Sequence, residues 1–267
     1  MTSTTSLSKS RHGRVLKLTL ESDCGRHPVS PELGLAIHSS IADAESDDAV
    51  GAILLTGSGK TFSAGGDIGG LIAGLDAGRP DAETRALLAQ SASGCLALMR
   101  SAKPTIALVN GAAAGGGLAL AAACDIRLAS HAAKFAFAYP RIALAGDLAA
   151  CWSLNRILGP SRALYFALSA KRLSASEALA LGLIAEVHAD DGLQQAGLTL
   201  AQDIASMSPM ALAQVKMNFR AAATVSRDEA IEIESDNFLL ARAHPDHREA
   251  AMAFIEKRRP RWTQAAR

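Results

Sequence analysis

The spacing of apolar residues divides the chain into an early region of strands and a late region of helices. Two continuous apolar runs, VGAILLTG at residues 50–57 and TIALVNG at residues 105–111, predict strands that are buried on both faces. RVLKLTLE at residues 14–21 alternates apolar and charged residues, which predicts a half-exposed strand. The segments IRLAS and AKFAFA, at residues 126–130 and 133–138, predict two short strands.

Predicted helices alternate with these strands in the first part of the chain and predominate in the rest of it. Ser30 is placed as an N-cap, with Pro31 at the first helical position and Glu32 in the first turn. Helical periodicity runs over residues 84–100. The later predicted helices are 148–158, 160–169, 174–181, 191–205, 208–223, 226–241 and 245–258. This order predicts an α/β core with a helical C-terminal region. We expect a flexible N-terminus at 1–12, a core at 13–200 and the helical region at 201–267.

One local pattern occurs twice: a buried strand leads into a Gly-rich turn that opens a helix. The turns are SAGGD at residues 63–67 and the triplet Gly115–Gly117. Glycine allows close packing of a helix on a strand, and it also allows a ligand to approach the main chain. The first N–H groups of a helix have no partner within it, so two such turns could aim two donors at one oxygen, as an oxyanion hole does. Spacing alone leaves both interpretations open.

Composition and charge exclude several classes of function. The 267 residues carry a formal net charge of +1, which gives no electrostatic argument for nucleic acid. No apolar run is long enough for a membrane span, and the polar start lacks the apolar core of a secretory signal. The four cysteines are widely spaced, so we expect no metal site. These features predict a cytoplasmic enzyme or binding protein with no nucleic-acid or membrane partner.

Three segments carry a family resemblance. LLTGSGKTFSAGGDI at residues 54–68, KPTIALVNGAAAGGGLALAAACDIRLAS at 103–130 and SAKRLSASEALALGLIAEV at 169–187 resemble the crotonase family of enoyl-CoA hydratases and isomerases. The similarity runs from about Arg14 to Trp262. It implies a crotonase-type spiral of ββα units with a helical C-terminal trimerisation region. It also implies an acyl-CoA thioester substrate, no separate cofactor because coenzyme A is part of that substrate, and a homotrimer or a dimer of trimers.

The resemblance assigns roles to both glycine turns. By motif position, the backbone N–H groups of Gly66 and Gly116 would bind the thioester oxygen, and the backbone around Ala64 would meet the adenine. Two fixed donors make the thioester α-carbon more acidic because they stabilise the enolate that forms when its proton leaves.

The acids of the family's hydratases are absent here. The positions of their two glutamates hold Ala119 and Arg141, and neither side chain can exchange a proton at neutral pH. RIALAGDLAACWSLNRILG, at residues 141–159, is instead similar to isomerase-type members in which one aspartate moves a proton between carbons; that residue is Asp147. The alternative is that Asp147 is only the N-cap of the following helix.

Further residues are candidates for substrate contacts. Asp67 is expected to cap the helix that it opens and is also a substrate-binding candidate, while Tyr139 and Trp152 are expected to line the acyl pocket. Arg26, Phe254 and Lys257 match positions that meet coenzyme A, the last two from a neighbouring subunit; each could equally be a solvated surface residue. Arg141 could bind a substrate carboxylate, or it could be solvated or form a salt bridge within the fold. Asp125 and Arg127 are expected to pair with each other.

Together these patterns predict an enzyme that shifts a double bond or isomerises an enoyl-CoA through an enolate. The oxyanion hole would be Gly66 and Gly116, and Asp147 would be both general base and general acid. Two alternatives stay open: an enoyl-CoA hydratase or other CoA lyase with atypical acids, and a catalytically silent acyl-CoA-binding protein.

Overall fold

Two sheets and a surrounding layer of helices make up the protein in a computed structural model that describes residues 4–262. The strands are β1 (Ser6–His12), β2 (Val15–Glu21), β3 (Ala52–Gly57), β4 (Thr61–Ser63), β5 (Thr105–Val109), β6 (Ala112–Ala114), β7 (Ile126–Ser130), β8 (Lys134–Ala136), β9 (Arg172–Ser174) and β10 (Glu186–His188). One sheet has the order β1-β2-β3-β5-β7-β10, and the other has the order β4-β6-β8-β9.

The helices lie between and after these strands. They are α1 (Pro31–Glu45), α2 (Ile68–Asp76), α3 (Asp81–Arg100), α4 (Gly116–Ala123), α5 (Ala150–Leu158), α6 (Pro160–Ser169), α7 (Ala175–Leu181), α8 (Leu193–Ala205), α9 (Pro209–Ala222), α10 (Arg227–Ala243) and α11 (Pro245–Ile255). A 3₁₀ turn covers Tyr139–Ile142. Within residues 4–262 no helix is both long and apolar enough to cross a membrane.

A ββα unit repeats along the chain and produces the spiral. The pairs β3–β4, β5–β6 and β7–β8 each place their first strand in the six-stranded sheet and their second in the four-stranded sheet. Helices follow each pair, and successive units pair in parallel within both sheets. This confirms the predicted spiral of ββα units with helices at the C-terminal end.

The predicted central strands are fully buried because helices cover both sides of their sheet. Every residue of β3 and β5 is buried. On one side α1, α3 and α4 add apolar residues to a core cluster. On the other side α8 packs Leu193, Ala201 and Ala205 against the sheet. The first helix begins as expected, since the Ser30 hydroxyl accepts a hydrogen bond from the Leu33 N–H at 3.2 Å.

Two predicted boundaries are wrong. The N-terminus was expected to be flexible through residue 12, but β1 pairs with β2 in an antiparallel hairpin along its whole length. The core was expected to end at residue 200, which lies inside α8, a helix that packs on the sheet down to Ala205. The core therefore extends through α8, and the separate helical region is α9–α11.

The helical region is joined to the core by charged side chains. Lys216 of α9 forms an ion pair with Asp125 and donates to the Lys103 carbonyl at 2.8 Å. Asp125 also accepts from the Thr105 N–H and hydroxyl, while Arg127 donates to two main-chain carbonyls. The expected pairing of Asp125 with Arg127 is therefore wrong, because each side chain bonds elsewhere.

Candidate active site

A cavity of about 760 Å³ lies where the two glycine turns meet. Gly65 and Gly66 line it from the first turn, and Gly115 and Gly116 line it from the second. The rest of the wall is mostly apolar and comes from α1–α3 and the segment after β8. Its large apolar members are Val29, Ile68, Leu71, Leu87, Leu88, Ile142, Leu144 and Leu148. The fold thus brings both sequence-predicted turns to one concave site.

The two turns are in close contact and need glycine for it. Gly65 and Gly115 have φ angles of +106° and +50°, which L side chains rarely adopt. A Cβ atom on Gly65 would lie 2.9 Å from the Ala114 carbonyl oxygen and 3.6 Å from the Gly116 nitrogen. A side chain at residue 65 would therefore push the turns apart.

Gly66 and Gly116 each have an N–H that is available to a ligand. Gly116 is the first residue of α4, so its N–H has no acceptor within the helix. Among the turn and loop hydrogen bonds of residues 4–262, neither N–H donates. The positive end of the α4 dipole favours negative charge at the same place. The arrangement is chemically suited to stabilising an anionic oxygen.

The third glycine of the triplet has a packing role. A Cβ atom on Gly117 would come within 2.1 Å of the Ser63 carbonyl oxygen, so only glycine allows α4 to approach β4 so closely. The triplet therefore combines the two interpretations that the sequence left open. Gly115 supplies the turn conformation, Gly116 faces the cavity, and Gly117 permits close packing.

Asp147 lines the same cavity and is partly buried. Burial raises the pKa of its carboxyl group above the ordinary value, and a hydrogen bond from Tyr139 lowers it in part. The Tyr139 hydroxyl donates to the Asp147 Oδ1 at 2.5 Å. Helix α5 begins after Ala149 and no side chain caps it, so the alternative that Asp147 is an N-cap is wrong.

Tyr139 lines the cavity as expected, and its partner is a contact that sequence reasoning missed. It opens the 3₁₀ turn, and its ring packs at a 57° tilt against Phe137 with 4.9 Å between centroids. Burial and the nearby Asp147 charge raise the pKa of the Tyr139 phenol. The hydroxyl therefore stays protonated at neutral pH and acts as a donor.

The two positions that hold acids in hydratases contribute no acid here. Ala119 is fully buried within α4. Arg141 lines the cavity, and its guanidinium donates to the Ala170 carbonyl from Nε and Nη2 at 3.1 and 2.8 Å. The guanidinium thus bonds to the main chain at the exposed rim of the cavity, and no salt bridge of Arg141 is present in the described part of the chain.

Two further carboxylates line the cavity. Asp67 stands at the N-cap position of α2 but makes no capping hydrogen bond, so its expected capping role is wrong. Glu32 lies at the start of α1, where hydrogen bonding with Ser30 lowers the pKa of its carboxyl group. In the described part of the chain, no group of three or more His, Cys, Asp or Glu residues could hold a metal ion.

Of the predicted substrate residues, Ala64 lines the cavity, but several others lie away from it. Trp152 does not line the cavity. It is 52% exposed on α5, and the Arg156 guanidinium lies 3.8 Å from its ring centroid, so the prediction that it lines the acyl pocket of its own chain is wrong. Arg26 is exposed beside Ala64, whose N–H donates to the Arg26 carbonyl. The predicted coenzyme A contacts of Arg26, and those of the exposed Phe254 and Lys257, stay predictions.

One wall of the cavity was missed by sequence reasoning although its signal was present. Helix α3 supplies Thr84, Leu87, Leu88 and Ser91. These residues follow the i, i+3, i+4, i+7 spacing of a single helix face. The periodicity therefore marks the face, while only the packing of α3 shows that this face meets a cavity.

Comparison with known proteins agrees with this geometry. The family model described as enoyl-CoA hydratase/isomerase matches residues 13–265. The chain belongs to the enoyl-CoA hydratase/isomerase family. It is similar to the 1,2-epoxyphenylacetyl-CoA isomerase of Escherichia coli, with 32% identity over 93% of this chain and 95% of the relative.

Other relatives of this family member carry hydratase names. A probable mitochondrial enoyl-CoA hydratase of Dictyostelium discoideum is 35% identical over 94% of this chain and 88% of its own. The crystal structure of an enoyl-CoA hydratase from a Polaromonas species superimposes with a TM-score of 0.91 at 29% identity, covering 96% of this chain and 98% of that one. The family and its fold are thus shown, and its two kinds of reaction are both found among the relatives.

Proposed function

We propose that this family member isomerises the double bond of an enoyl-CoA thioester, with Asp147 moving one proton between two carbons of the acyl chain. The observation that carries the proposal is the placement of the Asp147 carboxyl group in the cavity formed by the two glycine turns. Partial burial raises the pKa of this group, which makes it a stronger base than an exposed aspartate.

The proposed reaction needs no co-reactant. The N–H groups of Gly66 and Gly116 hold the thioester oxygen, and the Asp147 carboxylate removes a proton from the α-carbon of a β,γ-enoyl thioester. The resulting dienolate places its charge on the oxygen that the two donors stabilise. Protonated Asp147 then returns the proton to the γ-carbon, which gives the α,β-enoyl isomer and restores the carboxylate. Substrate and product have the same composition.

The cavity supports an apolar acyl group as substrate. Its volume of about 760 Å³ falls within the range of small-molecule sites, roughly 300–1,000 Å³, and apolar side chains dominate its wall. Coenzyme A enters as part of the thioester, so the chemistry uses no separate cofactor. We place the adenine near the Ala64 backbone, with Arg26 close to the phosphates and with Phe254 and Lys257 of a neighbouring subunit on the nucleotide.

The proposal is tested by comparing Asp147→Asn with Asp67→Asn, a matched change at another carboxylate of the cavity. Both variants are incubated with aliphatic and aromatic β,γ-enoyl-CoA thioesters in deuterium oxide, and the double-bond shift and deuterium incorporation are followed. Losing a general acid–base group costs about 10²- to 10⁴-fold in rate. We expect that loss for Asp147→Asn and a far smaller change for Asp67→Asn. Full turnover by folded Asp147→Asn would refute the proposed role.

Addition of water is the second candidate function, and one observation favours it. Glu32 and Asp67 line the cavity and could supply atypical acids for a hydratase. Incubation of α,β-enoyl-CoA in ¹⁸O-labelled water distinguishes the two reactions, because hydration places the label in a β-hydroxy product and isomerisation does not. Binding of the thioester with neither label uptake nor proton exchange would identify a silent binding protein.

We further propose that α9–α11 support assembly into a trimer or a dimer of trimers. Helix α9 has no buried residue, and α10 buries only Asn237 among its seventeen residues. Large apolar side chains are exposed along both helices: Val215, Met217, Phe219, Ile231, Phe238, Leu239 and Leu240. Extended apolar exposure of this kind is typical of a surface that another protein chain covers.

A further inference from the structure

We propose that Tyr139 is a positioning residue for Asp147: its hydroxyl fixes one carboxylate oxygen and leaves the other free to meet the substrate. This inference rests on the proposed function of Asp147 and extends it. The Tyr139 hydroxyl donates to Oδ1 at 2.5 Å, and both side chains line the cavity. A short bond to an ionised acceptor is both directional and strong.

Asp147 lies in an irregular and exposed segment of the chain. Residues 143–146, just before it, are exposed, and residues 143–149 include four positive φ angles, at Ala143, Gly146, Leu148 and Ala149. No regular helix or strand includes Asp147. Within residues 4–262, the carboxylate accepts a side-chain hydrogen bond from Tyr139 and a main-chain hydrogen bond from its own residue. Tyr139 therefore supplies the contact from outside the Asp147 residue itself that directs its carboxylate.

Tyr139 is itself well fixed, and it also contacts the second glycine turn. Its side chain is 6% exposed and packs on Phe137. A Cβ atom on Gly115 would lie 3.9 Å from the Tyr139 Cζ, so the ring rests against the turn that presents the Gly116 N–H. The Tyr139 ring therefore fixes the position of the Asp147 carboxylate relative to the proposed oxyanion hole.

The same bond adjusts the protonation of Asp147. A donor that bonds to a carboxylate favours the ionised form, so removal of the Tyr139 hydroxyl raises the pKa of Asp147 further. Asp147 interacts electrostatically with Tyr139 and with Cys95 of α3, and the other charged residues that line the same cavity are Glu32, Asp67, Arg79 and Arg141. Burial raises the pKa values of the tyrosine and the cysteine, which both stay neutral where Asp147 titrates.

The test compares Tyr139→Phe with Tyr165→Phe. These are the two tyrosines of the chain, and Tyr165 is 61% exposed with its hydroxyl accepting from Lys171. Phenylalanine keeps the ring packing at residue 139. We expect Tyr139→Phe to lower kcat by about tenfold or more with KM little changed. In the pH profile of kcat/KM, the acid limb, which reports the titration of Asp147, should move up by about one pH unit. Tyr165→Phe should match the unmodified protein in all three quantities.

A second variant keeps the hydroxyl and avoids any question of folding. In the Tyr165→Phe background, biosynthetic 3-fluorotyrosine replaces Tyr139 alone, and its more acidic hydroxyl is a stronger donor. We expect the acid limb to move to lower pH. An unchanged limb in both Tyr139 variants, with kcat retained, overturns the positioning role. Full turnover by Asp147→Asn instead overturns the proposed function, whatever the tyrosine variants show.

Discussion

At the scale of single residues, Asp147 experiences two opposing effects. Burial disfavours its charged form, while the Tyr139 hydroxyl stabilises that form. The net result is a raised pKa in the folded state. A group of this kind reduces stability at neutral pH, which is common where a residue is retained for its chemistry.

This raised pKa predicts a pH-dependent gain in stability for Asp147→Asn. A folded-state pKa above the unfolded value gives stability that is fully present below the unfolded pKa and is lost as pH rises through the folded pKa. Asparagine carries no charge and still accepts from Tyr139. We therefore expect a larger free energy of unfolding than in the unmodified protein at pH 7, and a smaller difference at pH 3, both measured by urea denaturation. A pH-independent difference would contradict the sign of the shift.

The sequence predicted some of these residues and could not predict others, for a physical reason. Gly66, Gly116 and Asp147 lie at motif positions, and all three line the cavity. The bond from Tyr139 to Asp147 spans eight residues of irregular chain, which no periodicity describes. Trp152 was misplaced because the direction of a helical side chain depends on how the helix rotates against its neighbours, and that is set by packing.

At the scale of elements, α4 shows how small residues position the site. All of its residues are buried, and its first turn contacts both β4 and the first glycine turn. Larger side chains would move the helix away from Ser63 and with it the Gly116 N–H. The geometry of the proposed oxyanion hole therefore depends on close backbone packing.

Gly117→Ala tests this dependence, with Gly66→Ala as its matched control. The added methyl at residue 117 would lie 2.1 Å from the Ser63 carbonyl oxygen, whereas at residue 66 nothing lies within 4 Å. Overpacking of this kind costs about 1–3 kcal/mol. We expect Gly117→Ala to lose at least that much free energy of unfolding and Gly66→Ala to lose much less. Equal losses would show that α4 does not require the close approach.

Strands with strong apolar patterns could be predicted from the sequence, whereas the polar edge strand β1 could not. The continuous apolar runs of β3 and β5 marked buried strands because both faces of their sheet are covered. Strand β1 has the sequence SLSKSRH and no buried residue. It is an edge strand that is stabilised by main-chain pairing to β2, so its side chains carry little signal.

At the scale of the whole molecule, the exposed apolar residues of α9 and α10 predict self-association. We expect sedimentation velocity to give a species of at least three chain masses. Phe219→Asp combined with Phe238→Asp introduces charge at positions that are 78% and 65% exposed and should reduce that mass. Leu35→Asp on α1, at 47% exposure, is the control and should retain the assembly. A single-chain mass for the unmodified protein would contradict the proposal.

The proposed mechanism has two backbone donors and one carboxylate acting on the same thioester. Its most direct test is a crystal structure with a non-reactive enoyl-CoA analogue bound. The proposed mechanism predicts the thioester oxygen at about 2.7–3.1 Å from the nitrogens of Gly66 and Gly116. It also predicts the free Asp147 carboxylate oxygen at about 3–3.5 Å from the α- or γ-carbon. A thioester oxygen held elsewhere, or an Asp147 carboxylate directed away from both carbons, would contradict this mechanism.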